Sequence, residues 1–211
     1  MNDISIIYTD PEFLVVNKPG GLLSVPGRGP DKQDCVVNRV RTLYPDIIEQ
    51  PAVHRLDMYT SGIMLIARTK TMHRLLSIQF AQRKVKKEYI AILDGIVTGT
   101  EGSIELAFRL DPENRPYQIY DPKHGKTGIT RWKSIGMEHN QSRILFLPLT
   151  GRTHQLRLHS AHPLGLGIPI VGDALYGHGV EGDQMFLHAS VLSFLHPKTG
   201  EHMEFISKPN F

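Results

Sequence analysis

The stretch PAVHRLDMYTSGIMLIARTK, residues 51–70, joins a charged segment to an uninterrupted apolar run. Every residue of GIMLIA, 62–67, is apolar, which is typical of a strand that is buried on both faces of a sheet. Asp57 precedes this run, and a carboxylate at the entrance to a core strand either caps the adjoining turn or takes part in chemistry. Both roles remain open on this stretch alone.

The patterns elsewhere in the chain predict an α+β protein. Apolar residues at helical spacing predict one helix that Asp34 caps and Pro45 ends, and a second helix over residues 70–85. Residues 99–147 are expected to form a string of short strands and turns. Strands and long helices do not alternate regularly, so a mixed, mostly antiparallel sheet flanked by helices and loops is favoured over a doubly wound fold.

The segment GRTHQLRLHSAHP, residues 151–163, is ambiguous in its period. Leu156 and Leu158 alternate with polar residues as in a strand, whereas Thr150 or Thr153 could cap a helix that Pro163 would end. We favour the helix.

Length and composition are those of a globular protein. The chain has 211 residues, of which 40% are hydrophobic and 21% charged, and one domain over residues 1–211 is expected. Cys35 is the only cysteine, so an intramolecular disulfide and a cysteine-rich zinc site are excluded. The amino terminus lacks the pattern of a signal peptide and no apolar run is long enough to span a membrane, which indicates a cytoplasmic protein without a membrane partner. A net charge of +3 permits an anionic partner without requiring one.

Three motifs suggest other functions, but their neighbouring residues or spacing do not support those functions. GHGVEG, 177–182, matches the dinucleotide fingerprint but lacks the preceding strand and following helix, so a loop is expected. Ser61 lacks the flanking glycines of a nucleophile elbow. His154, His159 and His162 match no metal-ligand spacing and have no acidic neighbours, so no metal site is expected.

A set of spaced motifs nevertheless resembles the RluA-type pseudouridine synthases over essentially the whole chain. The motifs, in chain order, are NKPGGLLSVPG (17–27), HRLD (54–57), KKEY (86–89), GRTHQLRLH (151–159), GIPIVGDALYG (167–177) and LHASVLSFLHP (187–197). The resemblance implies the fold of that catalytic domain, no separate amino-terminal RNA-binding domain, and isomerisation of uridine to pseudouridine without a cofactor. The implied partner is structured RNA, namely 23S ribosomal RNA, tRNA anticodon stem-loops, or both.

The resemblance also assigns catalytic roles. Asp57 is implied to act as the catalytic carboxylate, and Tyr89 to stack on the target uracil. Arg157 is implied to pair with Asp57, since a planar guanidinium can orient a carboxylate and keep it ionised.

Access to the target nucleotide is assigned to basic residues. Arg55 is implied to assist extrusion of the uridine from the RNA stack. Contacts with the RNA are expected from His54, Arg152, Lys86 and Lys87, since phosphate contacts provide affinity without reading sequence.

Two alternatives belong to other functional classes. A non-catalytic RNA-binding or ribosome-assembly factor could use the same scaffold, and it would lose nothing on replacement of Asp57 by Asn. A metal-dependent phosphodiesterase using the histidines would be inhibited by chelators, but the sequence has no compact set of acidic ligands for it.

Overall fold

A computed structural model describes residues 4–211; residues 1–3, at the terminus where no signal peptide is expected, lie outside the described part. The described residues contain short and long strands and three α-helices. The strands are β1 (Ser5–Thr9), β2 (Phe13–Lys18), β3 (Ser61–Ala67), β4 (Lys86–Leu93), β5 (Glu101–Leu110), β6 (Gln118–Tyr120), β7 (Lys126–Glu138), β8 (Gln141–Pro148), β9 (Leu187–Leu195) and β10 (His202–Ile206). The helices are α1 (Val36–Leu43), α2 (Lys70–Ala81) and α3 (Gln155–Ala161), with a 3-10 turn at Pro30–Lys32.

The chain divides into two compact units. The first comprises the residues up to Lys87 together with His188–Phe211, and the second comprises Glu88–Leu187. That one catalytic domain spans residues 1–211 stays a prediction. Within residues 4–211 no helix has the length and apolarity that a membrane crossing requires.

The first unit is built on β1, β2, β3 and β9 as successive neighbours, with β10 beside β9. The pairs β1–β2, β2–β3 and β9–β10 are antiparallel, whereas β3 and β9 run parallel. The apolar run 62–67 is the buried strand that its sequence predicts, since every one of its residues is buried in β3. Helix α2 lies against β3 and begins where the Thr69 hydroxyl accepts a hydrogen bond from the Met72 N–H. The prediction of a buried strand followed by a helix is confirmed.

The start of α1 differs from the prediction that Asp34 is its cap. Cys35 is the capping residue, since it is extended and its Sγ accepts a hydrogen bond from the Asn38 N–H at 3.4 Å. The Asp34 carboxylate instead binds Arg39 through Nε at 2.8 Å and Nη2 at 2.7 Å. The Cys35 sulfur, one residue closer to the helix, therefore caps α1, while the Asp34 carboxylate binds the Arg39 guanidinium.

The second unit consists of β4, β8, β7, β5 and β6 in that order. All four neighbouring pairs are antiparallel. The prediction of short strands in residues 99–147 is wrong for β5 and β7, which are 10 and 13 residues long. These strands pair with each other over Glu101–Phe108. The glycine and polar residues that favour turns in the sequence lie within the two long strands, where Gly102 is exposed and Gly128 and Thr130 are buried.

Helix α3 forms where the sequence favours it, but neither predicted threonine caps it. His154 occupies the N-cap position in the left-handed region, with φ of 56° and no side-chain capping bond. The Thr150 hydroxyl instead donates to Oε1 of Gln155 at 2.7 Å. With few helices and a mostly antiparallel arrangement of strands, the predicted α+β class is confirmed.

Candidate active site

The main chain immediately before Asp57 is fixed by one serine. The Leu56 N–H donates to Oγ of Ser24 at 3.0 Å, and the Ser24 hydroxyl donates to the Leu56 carbonyl at 2.6 Å. Both residues are buried, so these bonds form away from competing water. Asp57 itself is half-buried.

The main chain immediately after Asp57 is held by Lys18, which the sequence analysis did not single out. Its Nζ donates to the carbonyls of Met58 and Leu22, both at 2.7 Å, and of Pro19 at 2.9 Å. All three ammonium donors are thereby used, and the side chain is fully buried. Burial lowers the pKa of Lys18 to about 7, an effect that the negative charge of Asp57 opposes. Lys18 ends the apolar strand FLVVNK, where a buried lysine needs acceptors, but the sequence does not indicate which carbonyls supply them.

The turn that follows Asp57 is closed by main-chain atoms, because the Thr60 N–H donates to the carbonyl oxygen of Asp57 at 3.1 Å. This bond leaves the carboxylate unnecessary for closing the turn. Beyond it, Oγ of Ser61 lies 2.8 Å from Nδ1 of His188, whose Nε2 lies 3.1 Å from Oγ of Ser207. Burial lowers the pKa of His188, an effect that a hydrogen bond with the Ser207 backbone opposes. The His188 ring links β3 to the carboxyl-terminal segment.

His54, in the same unit, has structural contacts. The Leu65 N–H donates to its Nε2 at 2.9 Å, and its ring stacks on Phe80 with centroids 4.7 Å apart. Burial, followed by the positive charge of Lys87, lowers the pKa of His54 to about 3. A neutral ring with an occupied acceptor supports the HRLD segment, and a contact between His54 and RNA stays a prediction.

The other basic residues predicted in this unit differ in exposure. Arg55 and Lys86 are exposed, as a contact with RNA requires, whereas Lys87 is half-buried and burial lowers its pKa. Lys87 is close enough to His54 for its charge to act on that ring. His54 and Lys87 therefore lie on the same unit as Asp57.

In the second unit, Arg157 forms a buried bidentate ion pair with Asp173. Nε donates to Oδ2 at 2.8 Å and Nη2 donates to Oδ1 at 2.6 Å, and the two side chains are 4% and 0% exposed. Burial is the largest influence on the pKa of Asp173 and raises it, but the hydrogen bonds and charge of Arg157 and two backbone N–H groups outweigh burial and lower it. A pairing of Arg157 with Asp57 stays a prediction.

Tyr176 braces this ion pair. The N–H groups of Leu175 and Tyr176 donate to Oδ1 of Asp173, and the guanidinium carbon of Arg157 lies 5.2 Å from the centre of the Tyr176 ring. The Tyr176 hydroxyl lies 2.8 Å from Nδ1 of His154, the residue that precedes α3. Asp173 and Tyr176 both lie in the GDALYG motif, which was noted only for its resemblance, and one sequence alone gives no sign that they meet Arg157.

Tyr89 and Arg152 also belong to the second unit. Tyr89 is half-buried on β4, opposite Phe146 of β8. The Arg152 side chain is exposed, and its Nε donates to the Thr127 carbonyl at 3.3 Å. These positions suit a ring that faces a ligand and a cation that is open to solvent, while the roles themselves stay predictions.

Comparison with known proteins now decides the family. A family model of RNA pseudouridylate synthases matches residues 12–162. The chain belongs to this family. It is 43% identical to the dual-specificity RNA pseudouridine synthase RluA of Haemophilus influenzae over 99% of this chain and 94% of the relative. It is 41% identical to the RluA of Yersinia pestis, over 98% of this chain and 99% of the relative.

Two solved structures share the fold, and the more similar in sequence of the two supports the family assignment. Human RNA pseudouridylate synthase domain containing 1 is 30% identical, with a TM-score of 0.79 over 99% of this chain and 84% of that one. Human RNA pseudouridylate synthase domain containing 4 is 22% identical with a TM-score of 0.74, over 98% of this chain and 89% of that one, and shows the fold alone. The resemblance to pseudouridine synthases is thus confirmed.

The histidines of the described residues are not grouped as metal ligands. Within residues 4–211, no group of three or more histidine, cysteine or acidic side chains is placed to hold a metal ion. His154 contacts Tyr176, and His159 is fully buried with its ring edge-on to Phe108. Burial lowers the pKa of His159 to about 4, so its ring is neutral.

Proposed function

We propose that this chain isomerises uridine to pseudouridine in structured RNA, in the cytoplasm and without a cofactor, with 23S ribosomal RNA, tRNA anticodon stem-loops, or both as targets. The observation that carries the proposal is the fixed backbone on both sides of Asp57, where Ser24 holds Leu56 and Lys18 holds Met58. This anchored segment lies within residues 12–162, the part of the chain that matches the RNA pseudouridylate synthase family. The single cysteine, Cys35, is a free thiol, which fits a reducing compartment.

Asp57 is the catalytic carboxylate in this proposal. The reaction breaks the bond between N1 of uracil and C1′ of ribose and forms a bond from C5 to C1′. C5 releases its hydrogen to solvent as a proton, and N1 takes up a proton from solvent. A carboxylate can attack C1′, add to the base, or remove a proton on the way through a glycal. Each route requires a carboxylate held beside the nucleotide, and a backbone anchored on both sides gives that orientation before the RNA binds.

Arg157 and Tyr89 complete the proposed chemistry. Asp173 binds the Nε edge of the Arg157 guanidinium, which fixes the plane of a group with five N–H donors. An arginine fixed in this way can orient the catalytic carboxylate and stabilise its charge. The Tyr89 ring holds the detached uracil by stacking, which contributes roughly 1–3 kcal/mol per base in other proteins.

Access to the target uridine is assigned to the exposed cations. Arg55 occupies the space that the extruded nucleotide leaves, which lowers a cost of a few kcal/mol. Arg152 and Lys86 are exposed and contact phosphates, with His54 and Lys87 beside the RNA path. Salt-dependent affinity follows from such contacts.

The test measures release of tritium from RNA that carries tritium at C5 of uridine. Ribosomal RNA and tRNA transcripts are incubated separately with the wild type, with Asp57→Asn, and with Asp46→Asn. Asp46 is a suitable control because it is an exposed carboxylate in the same unit, and its ion pair is with Arg68 at 3.3 Å. Each reaction is run both with and without a chelator.

We expect release by the wild type and by Asp46→Asn, no release by Asp57→Asn, and RNA affinities within several-fold of one another. Release by Asp57→Asn would remove this residue from the mechanism. Binding without release by any protein would favour the non-catalytic RNA-binding alternative. Loss of release on addition of the chelator would favour metal-dependent chemistry.

A further inference from the structure

The second unit contains a surface cavity, and Arg152 is its one lining residue that has a role in the proposal above. Its volume is about 380 Å³. It lies where β5, β6 and β7 meet the segment that leads into α3. The lining residues are Phe108, Arg109, Leu110, Gln118, His124, Lys126, Gly151, Arg152 and Thr153.

The cavity is cationic. Arg109, Lys126 and Arg152 line it, His124 can add a further charge, and no acidic residue is among its lining residues. Arg109 is partly neutralised, because its Nε donates to Oδ2 of Asp121 at 2.6 Å. Within residues 4–211, neither Lys126 nor Arg152 forms an ion pair. Two cations therefore face solvent at one concave surface without a countercharge from the described protein.

Strand register brings one of these cations to the cavity. Lys126 begins β7 and is the Cα partner of Phe108 on β5, the strand that also carries Arg109. Phe108 is 2% exposed and contributes to the wall rather than offering a ring face to a base. The cavity thus lacks a stacking surface, and its recognition chemistry is that of a compact anion.

The second cation, Arg152, belongs to a segment whose backbone is fixed by hydrogen bonds with Gln155. Oε1 of Gln155 accepts from the Arg152 N–H at 3.0 Å and from the Thr150 hydroxyl at 2.7 Å. Its Nε2 donates to the Ile129 carbonyl and to Oγ1 of Thr130, both on β7. The segment that carries Arg152 is therefore held to the strand that carries Lys126, so the backbone positions of the two cations are fixed before a ligand binds.

We propose that this cavity binds one backbone phosphate of the substrate RNA, at a nucleotide other than the target uridine, through Lys126 and Arg152. The inference rests on the proposed function, because RNA is the polyanion that such an enzyme meets. A wall of the cavity is joined to the helix of Arg157: the Gln118 N–H donates to the Tyr176 hydroxyl, which contacts His154 at the start of α3. A phosphate held there positions the RNA strand against the element that carries Arg157.

The test is equilibrium binding of a fluorescein-labelled tRNA transcript, by anisotropy, between about 50 and 200 mM KCl. The variants are Lys126→Ala, Arg152→Ala and their combination, with Lys126→Arg as the variant that keeps the charge. Lys133→Ala is the matched control, since Lys133 is an exposed lysine on the same strand, β7, and does not line the cavity. Thermal unfolding is measured for each protein, and only variants with a wild-type transition enter the comparison.

We expect each alanine variant to weaken binding about 3- to 10-fold at the higher salt concentration. Each should also lower the slope of log Kd against log salt by about 1, and the combination by about 2. Lys126→Arg and Lys133→Ala should keep the wild-type slope. An unchanged slope in the combined variant, or an equal loss in Lys133→Ala, would overturn the proposal.

A second arm separates an RNA phosphate from a free anion. Inorganic phosphate is titrated calorimetrically into the wild type and the combined variant at constant ionic strength. Phosphate binding that the combined variant loses, with RNA affinity unchanged, would identify a site for a free anion and overturn the assignment to RNA. Tritium release by the wild type on the same transcript reports on the proposed function independently, because the salt slope is an equilibrium quantity that needs no turnover.

Discussion

Arg157 and Asp173 form the most buried ion pair in the described part of the chain, with two hydrogen bonds of 2.8 and 2.6 Å between a side chain 4% exposed and one 0% exposed. Desolvation of two charges costs several kcal/mol each, and such a pair is stable only when its geometry and further hydrogen bonds compensate. Here the N–H groups of Leu175 and Tyr176 also bind Asp173. The arrangement fixes the position of an arginine whose orientation the proposed chemistry needs.

Replacing Asp173 by Asn should destabilise the protein by about 3–5 kcal/mol, because it leaves the buried Arg157 charge without a countercharge. The pKa of Asp173 is lowered in the fold, so its stabilising effect is complete above the unfolded pKa of about 4 and is lost as pH falls through the folded value. Denaturant unfolding at neutral and acidic pH measures both effects. Asp34→Asn is the control, since its partner Arg39 is near the surface and such pairs contribute about 0–1 kcal/mol. Equal losses in the two variants would contradict the importance of burial.

Arg157→Lys should reduce tritium release more than it reduces stability. Lysine retains the charge that Asp173 needs but cannot make two parallel hydrogen bonds, so the geometry is lost while neutralisation persists. A misplacement of about 1 Å can lower a rate about 100-fold. Turnover and denaturant unfolding of the same preparation measure the two quantities. Wild-type kinetics in this variant would exclude an orienting role for Arg157.

Lys18→Met should abolish turnover and destabilise the protein by several kcal/mol. Three carbonyls, of Pro19, Leu22 and Met58, would lose their shared donor, and each buried unsatisfied group costs about 1–3 kcal/mol. Thermal unfolding and tritium release are measured together, with the exposed Lys32→Met as control. A stable and fully active Lys18→Met protein would show that the loop around Asp57 is fixed without this lysine.

Local patterns predicted most of the fold. The apolar run in β3 and the helix that begins at residue 70 form as expected, because each is decided by the burial of neighbouring apolar residues. The misses have a common cause. Whether Asp34 or Cys35 caps α1, how long β5 is, and that Arg157 meets Asp173 all depend on contacts that periodicity does not contain.

The candidate site also contains residues that a motif predicts and residues that only the tertiary fold reveals. Asp57 could be proposed from its motif, since the spaced motifs of this chain resemble those of a family with known chemistry. Lys18 and Asp173 support the site through buried hydrogen bonds with residues 40 and 16 positions away, respectively. Such pairs are set by the tertiary fold, so one sequence gives no pattern that reveals them.

Gly62→Ala should be among the most damaging single substitutions in β3. Gly62 has φ of 112°, and a Cβ there would collide with the backbone of Ala189 on the parallel strand β9. We expect a loss of several kcal/mol or failure to accumulate folded protein, seen by thermal unfolding. Gly200→Ala is the control, because Gly200 also has a positive φ but no atom lies within 4 Å of its Cβ position. It should cost only about 1–2 kcal/mol of backbone strain. Equal effects would show that the close approach of β3 and β9 is unimportant.

His54→Gln should flatten the dependence of stability on pH. The folded pKa of His54 is about 3, below the unfolded value of about 6.5, so below pH 6.5 the unfolded chain takes up a proton that the folded protein refuses. Stability contributed by the neutral ring is therefore present above pH 6.5 and falls as pH decreases from there toward 3. Glutamine retains an acceptor for the Leu65 N–H but does not titrate.

The measurement compares unfolding free energies at pH 7 and pH 5 for the wild type and His54→Gln. The difference between the two pH values should be smaller in the variant, though not zero, because burial also lowers the pKa values of His159 and His188 and both remain. His139→Gln, which replaces an exposed histidine, is the control for loss of a histidine as such. An identical pH dependence in His54→Gln and the wild type would mean that the His54 ring accepts a proton in the folded protein, which would leave it free to contact RNA as a cation.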